Sequence, residues 1–387
     1  MPPEHRVLGP IELIVIQSTP YCNLDCDYCY LPNRDNKHQL RLGDLKTIFQ
    51  RIFESQLLSQ QVTIVWHSGE PLVLPTTYYQ AAFQVIEELR LQQLGADASI
   101  THALQTNRTL LSMEWCRLIQ YHRVQIGISL DGPAFLHDAH RKTRTGLGSH
   151  ASTMRGISHL NAFRVPFHVI CVLTNDSLDY PEEIFRFFAE NNITRIGFNI
   201  DEQEGAHEDS SFARDGIELR YRKFMETFYR LTKEAAQELE IREFEMLKHL
   251  ICYGSETIPP RNQQVTPFKI LTIASNGDFS TFSPELLDMG GGKHADFRFG
   301  NLLQSSLESA LKDKKFRDVD QSIRLGADLC QSSCEYFTLC GGGAPANKWC
   351  ENGTFASTET LYCKYTIKLP AQIIMDDLET ALKIHGA

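Results

Sequence analysis

Three cysteines in the spacing Cys22-x3-Cys26-x2-Cys29 constrain this chain more than any other feature. They follow directly on a short apolar run, Leu13–Ile16, that reads as a β-strand. Ligands on the loop after a parallel strand sit at the C-terminal mouth of the sheet, where such folds carry their chemistry. The sequence supplies that kind of sheet. Apolar β-rich runs recur at Val62–Trp66, Ser99–Leu104, Val124–Leu130, Phe167–Leu173 and Arg195–Ile200. Between them, Leu45–Leu57, Thr77–Leu91, Ser112–His122, Ala151–Ala162 and Pro181–Asn191 place apolar residues at three- and four-residue steps. Strand alternating with helix predicts repeated βα units. Six units fall short of a closed (β/α)8 barrel. The expected fold is therefore α/β, with an open, partial barrel over residues 8–205.

The number of ligands matters as much as their spacing. Structural zinc sites and iron–sulfur clusters both normally take four protein ligands. Only three cysteines stand here, and no further Cys or His follows closely. A 4Fe–4S cluster on three thiolates keeps one iron open for a substrate or cofactor. The competing reading is a zinc knuckle with a distant fourth ligand.

Composition narrows the setting. The formal net charge of −10 argues against a nucleic-acid groove as the main surface. The run Ile11–Ile16 is too short for a signal core or a membrane span, so a cytoplasmic protein with no membrane partner is expected. In a reducing compartment, eleven cysteines read as metal ligands or catalytic groups before they read as disulfides. Cys116, Cys171 and Cys252 lie alone in apolar surroundings and read as buried small hydrophobes.

Beyond the sixth unit the chain changes character. Glu202–Asp215 is an acidic break, and Gly216–Leu250 reads as one or two amphipathic helices, with Ile217, Phe224, Phe228, Leu231, Ala235 and Leu239 on one stripe. Residues 206–262 are expected to form a helical bridge, ended by Pro259 and Pro260. Residues 263–387 open with a hairpin centred on Asn276-Gly277, followed by a glycine-rich stretch at Gly290–Gly292 and a second set of cysteines.

Cys-x3-Cys-x-aromatic-Cys after a strand resembles the radical S-adenosylmethionine (SAM) superfamily. In that family SAM chelates the open iron, and one electron cleaves it to a 5′-deoxyadenosyl radical that abstracts hydrogen from substrate. The resemblance implies an adenine neighbour at Tyr28. It matches Ser68-Gly69-Glu70-Pro71 to the family's Gly-Gly-Glu-Pro motif, with Glu70 on the SAM ammonium. Asn107 faces the mouth. Ser129 and Asp131, in Ser129-Leu130-Asp131-Gly132, match a segment near the SAM ribose and methionyl group. Arg141 takes the place of the arginine on the SAM carboxylate, and Asn199 and Ile200 that of an adenine contact.

The C-terminal cysteines, Cys330-x3-Cys334-x5-Cys340-Gly-Gly-Gly-Ala344-Pro345, then Cys350 and Cys363, resemble the SPASM extension of peptide-modifying relatives. A full SPASM domain carries two auxiliary 4Fe–4S clusters. Here Phe282 and Ala344 stand where ligands of the first are expected. The resemblance therefore implies one auxiliary cluster on Cys330, Cys334, Cys340 and Cys363, with zinc as the alternative. Cys350 has no partner in this scheme, unless it exchanges with Cys363.

Over nearly the whole chain the pattern is similar to GrrM/OscB-type maturases, which form C–C crosslinks (cyclophanes) in ribosomal precursor peptides. That implies a precursor peptide and a reductant protein as partners, and Glu285 or Asp278 as a base. Docking of the peptide leader on Gly216–Leu250 is a further expectation. Anaerobic sulfatase-maturing enzymes are the alternative, though Ser283 occupies the position of their acidic residue. A non-catalytic iron–sulfur or zinc scaffold is the second alternative.

Overall fold

The computed structural model describes residues 8–235, 239–254, 262–289 and 296–385. The expected prolines Pro259 and Pro260 and the stretch Gly290–Gly292 lie outside the described residues. The elements, in chain order, are β1 (Ile11–Ile16), α1 (Leu42–Glu54), β2 (Leu58–Trp66), α2 (Thr76–Gln93), β3 (Ser99–Thr106), α3 (Met113–His122) and β4 (Gln125–Ser129). Then come α4 (Ala134–His140), α5 (His150–Ala162), β5 (Phe167–Leu173), α6 (Pro181–Glu190), β6 (Arg195–Ile200), α7 (Ile217–Glu234), β7 (Glu240–Ile241) and α8 (Arg242–Tyr253). The last part holds β8 (Ile270–Ile273), β9 (Asp278–Thr281), β10 (Gly300–Asn301), α9 (Lys314–Ser333), α10 (Phe337–Cys340), α11 (Pro345–Asn352) and α12 (Leu369–His385).

β1 to β7 pair in sequence order, each parallel to the next. The sheet does not close. The local reasons are those read from the pattern. In α1 the buried residues Leu45, Ile48, Phe49, Ile52 and Phe53 fall at three- and four-residue steps and face the core. In α3 the Ser112 hydroxyl accepts from the Trp115 amide and caps the first turn, and Arg123 in a left-handed conformation ends the helix.

The expected hairpin on Asn276-Gly277 forms, and it joins the barrel sheet. The hairpin β8–β9 is not a separate layer: β8 pairs parallel with β1, Leu13 opposite Ile270, and extends the same sheet at its other edge. The bridge also contributes to the sheet, through β7 beside β6. The apolar face of the helix expected as a docking surface is covered, while Glu218, Leu219, Lys223 and Glu226 stay exposed. α7 buries Tyr221, Phe224, Met225 and Phe228, and α12 ties to it through Tyr229 Oη on Asp377 (3.0 Å) and Lys233 Nζ on Asp377 (2.7 Å). Among the described residues no helix is long and apolar enough to cross a membrane. Cys116 and Cys171 are buried as expected, but Cys252, near the end of α8, is exposed.

Candidate active site

The three cysteines occupy a loop that is braced from both sides. The Cys22 amide donates to the Arg34 carbonyl (3.1 Å) and Arg34 Nη1 to the Cys26 carbonyl (3.0 Å). Arg144 Nε reaches the Cys22 carbonyl (2.9 Å), and the Asp25 amide the Lys142 carbonyl (2.7 Å). Burial pushes the thiol of Cys22 up to about 12 and that of Cys26 up to about 11, and raises Cys29 as well. Such thiols stay protonated until a cation replaces the proton, as metal binding does.

Glu70 was expected to face the SAM ammonium. It is 1% exposed, and its carboxylate accepts from the Leu72 amide (2.9 Å), Thr106 Oγ1 (2.6 Å) and the Asn107 amide (2.8 Å). Its own amide donates to the Tyr21 carbonyl (2.9 Å). Glu70 thus joins β2, β3 and the cysteine loop, and burial still raises its pKa to about 7. Beside it, Gly69 has φ +113°, and a Cβ there would lie 2.2 Å from the Thr19 carbonyl oxygen. Only glycine allows the two loops to meet. Ser68 also has positive φ.

Arg141, expected on the SAM carboxylate, forms a bidentate pair with Asp131, and Asp131 also accepts from Tyr28 Oη and the Val172 amide. Asn107 Nδ2 approaches Cys22 Sγ (3.7 Å). Ser129 Oγ accepts from Gln105 Nε2 (3.3 Å). Asn199 Oδ1 accepts from Arg242 Nη2 (2.9 Å), whereas Ile200 is packed into the core. Gln105, read with Asn107 as a polar group facing the mouth, lies inside the barrel, and sequence reading missed His168 and Arg242 there. A Cβ on Gly127 would meet Gln105 at 2.0 Å and His168 at 2.8 Å, and one on Gly197 would meet Arg242 at 2.8 Å. Glycines at inward positions of β4 and β6 were the available signal. A cavity of 990 Å³ opens at the N-terminal ends of β4 to β6, lined by His168, Gly197 and Arg242, and no expected site residue borders it.

The second set of cysteines surrounds a cavity of 470 Å³, lined by Cys330, Cys334, Cys340 and Cys363. Cys350 is not among them: its Sγ lies 3.9 Å from Met289 Sδ. Asn262 Nδ2 donates to the carbonyls of Cys340 (2.9 Å) and Gly343 (2.8 Å), bracing the glycine turn. Lys348, 3% exposed, donates through Nζ to Cys330 Sγ (3.3 Å) and the Gly326 carbonyl (2.9 Å). Burial pushes Cys363 up to about 12 and raises Cys340. Among the described residues no three His, Cys, Asp or Glu side chains converge as one metal ion requires. A cubane cluster binds each thiolate through a different iron, so thiolates spread around a cavity suit it better than they suit zinc.

Of the two acids expected as bases, Asp278 starts β9 and accepts from Asn276 Nδ2 (2.9 Å) and Asn301 Nδ2 (2.8 Å), an anchor of the hairpin. Glu285 lies elsewhere. Burial raises its pKa, and it neighbours Glu202 and Glu204 after β6 as well as Cys350 of α11. Ser283 is fully buried, accepting from the Ala346 amide and donating to Gln264 Oε1.

An open parallel sheet with a three-cysteine loop at its mouth defines a class, and residues 16–188 match the family described as the Radical SAM superfamily. The chain belongs to that superfamily. Its family relative in Synechocystis, the uncharacterized protein sll1766, is 45% identical over 374 residues, spanning 97% of this chain and 94% of its own. A cysteine-type anaerobic sulfatase-maturating enzyme of Clostridium perfringens is 23% identical over 348 residues, 87% of this chain and 89% of its own. In fold, the chain is similar to a solved structure of anSMEcpe with bound AdoMet and the Cp18Cys peptide, with TM-score 0.75, 20% identity and coverage of 96% and 99%. It is also similar to Streptococcus suis SuiB bound to its precursor peptide SuiA, with TM-score 0.59, 19% identity and coverage of 87% and 72%. Membership implies a 4Fe–4S cluster with SAM.

Proposed function

We propose that this radical SAM enzyme is a peptide maturase that forms a C–C crosslink between an aromatic ring and a nearby residue of a ribosomal precursor peptide. In this reading residues 8–205 are the barrel, 206–262 the bridge and 263–387 the SPASM-like part. Cys22, Cys26 and Cys29 hold the SAM-binding cluster, and Cys330, Cys334, Cys340 and Cys363 hold one auxiliary cluster. When bound, the first cluster supplies the electron that cleaves SAM and so generates the hydrogen-abstracting radical.

The protein's own side chains supply the rest. Tyr28, Asp131 and Arg141 lock the cysteine loop onto β4 and β5, and Glu70 locks it onto β2 and β3. In this reading Tyr28, Ser68, Gly69, Glu70, Asn107, Ser129, Asp131, Arg141, Asn199 and Ile200 also line the SAM site. Crosslinking removes a hydrogen atom from a β-carbon, then a proton and an electron from the ring adduct. The observation that carries the reading is Glu285, at the junction of the barrel with the C-terminal part. Its raised pKa brings it nearer the working range of a general base. The remaining electron needs an acceptor, and the four-cysteine cavity is where this chain would hold one. The peptide-bound structures of SuiB and anSMEcpe support a peptide substrate.

Formylglycine formation on a sulfatase is the second reading, favoured by the similarity to the Clostridium perfringens enzyme over most of both chains. Reconstituted enzyme, given dithionite and SAM, should release 5′-deoxyadenosine, and Ala at Cys22, Cys26 or Cys29 should abolish it. Absence of that product would return the chain to the scaffold reading. With peptides offered side by side, loss of a hydrogen pair and a fragmentation-resistant span in an aromatic-containing precursor supports crosslinking. An aldehyde on a sulfatase-derived Cys or Ser peptide replaces it with the second reading.

A further inference from the structure

A group of carboxylates at this same junction has more negative than positive charge around it. Glu202 and Glu204 follow β6, and Glu351 lies near the end of α11. Glu204 is 9% exposed, yet its carboxylate meets no hydrogen-bond donor and no cation among the described residues. Its charged neighbours are Glu202, Glu285 and Glu351, with the Cys350 thiol. One oxygen of Glu351, Oε1, is buried and likewise unbonded. Asn347 Nδ2 donates to Glu202 (2.7 Å). The cation acting on Glu202 is Arg242, already held by Glu243, the Phe198 carbonyl and Asn199. Nearby His207 is taken up by Asp201 (2.7 Å).

Glu204 also lines a cavity of 230 Å³, with Glu208, Asp209 and Cys350 around it. The cavity adjoins the cysteine loop, since the Ala206 amide donates to the Tyr30 carbonyl (2.8 Å), next to Cys29. Buried like charges without a partner are costly, and a cation entering the cavity removes that cost. A bare metal ion does not fit, because no three of these ligands converge on one point among the described residues. A guanidinium or ammonium on an alkyl stem does: it spreads several donors and reaches separated carboxylates at once.

We propose that Glu204, with Glu208 and Asp209 around the same cavity and Glu202 and Glu351 adding to its negative field, forms a recognition pocket for a basic side chain, Arg or Lys, of the substrate peptide. The identity of the occupant rests on the peptide-maturase reading. The pocket sits beside the cysteine loop, so a basic residue held there sets which neighbouring residue of the peptide meets the radical.

The test is binding, measured without reductant. Fluorescein-labelled Gly-Gly-Arg-Gly-Gly is titrated with reconstituted, SAM-loaded enzyme and compared with its citrulline counterpart, which keeps shape and loses charge. The arginine peptide should bind at least about tenfold more tightly. Glu204→Gln should bring the two close to parity, and Glu351→Gln provides a second route if the first variant folds poorly. Equal binding of the two peptides to the unaltered enzyme overturns the pocket. So does competition of the arginine peptide by magnesium or calcium at equimolar level. Discrimination without any crosslinked or deoxyadenosine product would sink the maturase reading and leave the pocket standing. Product without discrimination would do the reverse.

Discussion

Arg141 grips Asp131 with two arms of its guanidinium, Nε on Oδ2 at 2.8 Å and Nη2 on Oδ1 at 3.0 Å, and both side chains are more than nine-tenths buried. Burial alone pushes the Asp131 carboxyl up, but Arg141 outweighs it and the pKa ends below the usual range. The same carboxylate accepts from the Val172 amide of β5 and from Tyr28 in the cysteine loop, and Arg141 lies over the Tyr28 ring. One ion pair therefore fixes the loop to the sheet.

Asp131→Asn should leave Arg141 buried and unpaired. The expected loss is about 3 kcal/mol or more of unfolding free energy, read from urea denaturation. Iron retained after reconstitution should fall with it, because the loop loses its anchor. A change under about 0.5 kcal/mol would show that the pair is not structural.

Cys350 and Cys363 should separate cleanly. Cys363 lines the four-cysteine cavity and Cys350 does not. Iron in Cys363→Ala should drop from about eight to about four atoms per chain, whereas Cys350→Ala should keep about eight. The reverse pattern in an iron assay would exchange their roles.

Lys348 donates to Cys330 Sγ from a buried position. A buried ammonium beside a ligating sulfur favours the more negative, reduced state of a cluster. Lys348→Met should make the auxiliary potential more negative by about 59 mV, one tenfold shift in a one-electron couple, in an EPR-monitored redox titration. An unchanged or higher potential contradicts the assignment.

His102 stacks on Phe83 at 4.1 Å and accepts from Trp66 Nε1 (3.4 Å). Burial, with His122 nearby, lowers its pKa to about 3. Between about 3 and its ordinary value near 6.5, the unfolded chain binds a proton that the folded chain refuses. Stability from this site is thus full above pH 6.5 and lost as pH falls. Replacement by Phe should flatten the dependence by about 2 kcal/mol between pH 6.5 and 5, in melts of apo-protein. Parallel pH profiles would remove His102 as the cause.

The alternating strands and helices, the three-cysteine loop and the choice of four C-terminal cysteines were legible because each rests on local periodicity or spacing. Val62–Trp66 and Arg195–Ile200 lie within or match β2 and β6 for that reason. What a side chain faces was not legible, because burial and charge neighbours come from residues far apart in the chain. Glu70 and Arg141 carry chemistry suited to SAM, and tertiary packing joins them to Thr106, Asn107 and Asp131, partners that no local spacing announces. The same packing joins β8 to β1, leaves Cys350 outside the four-cysteine cavity and gathers Glu202, Glu204, Glu285 and Glu351 from three separate segments. The sequence by itself determined which elements form and which thiols are spaced to ligate. Only the folded chain decided which charges find partners, because a charge's environment is set by whatever the whole sheet brings beside it.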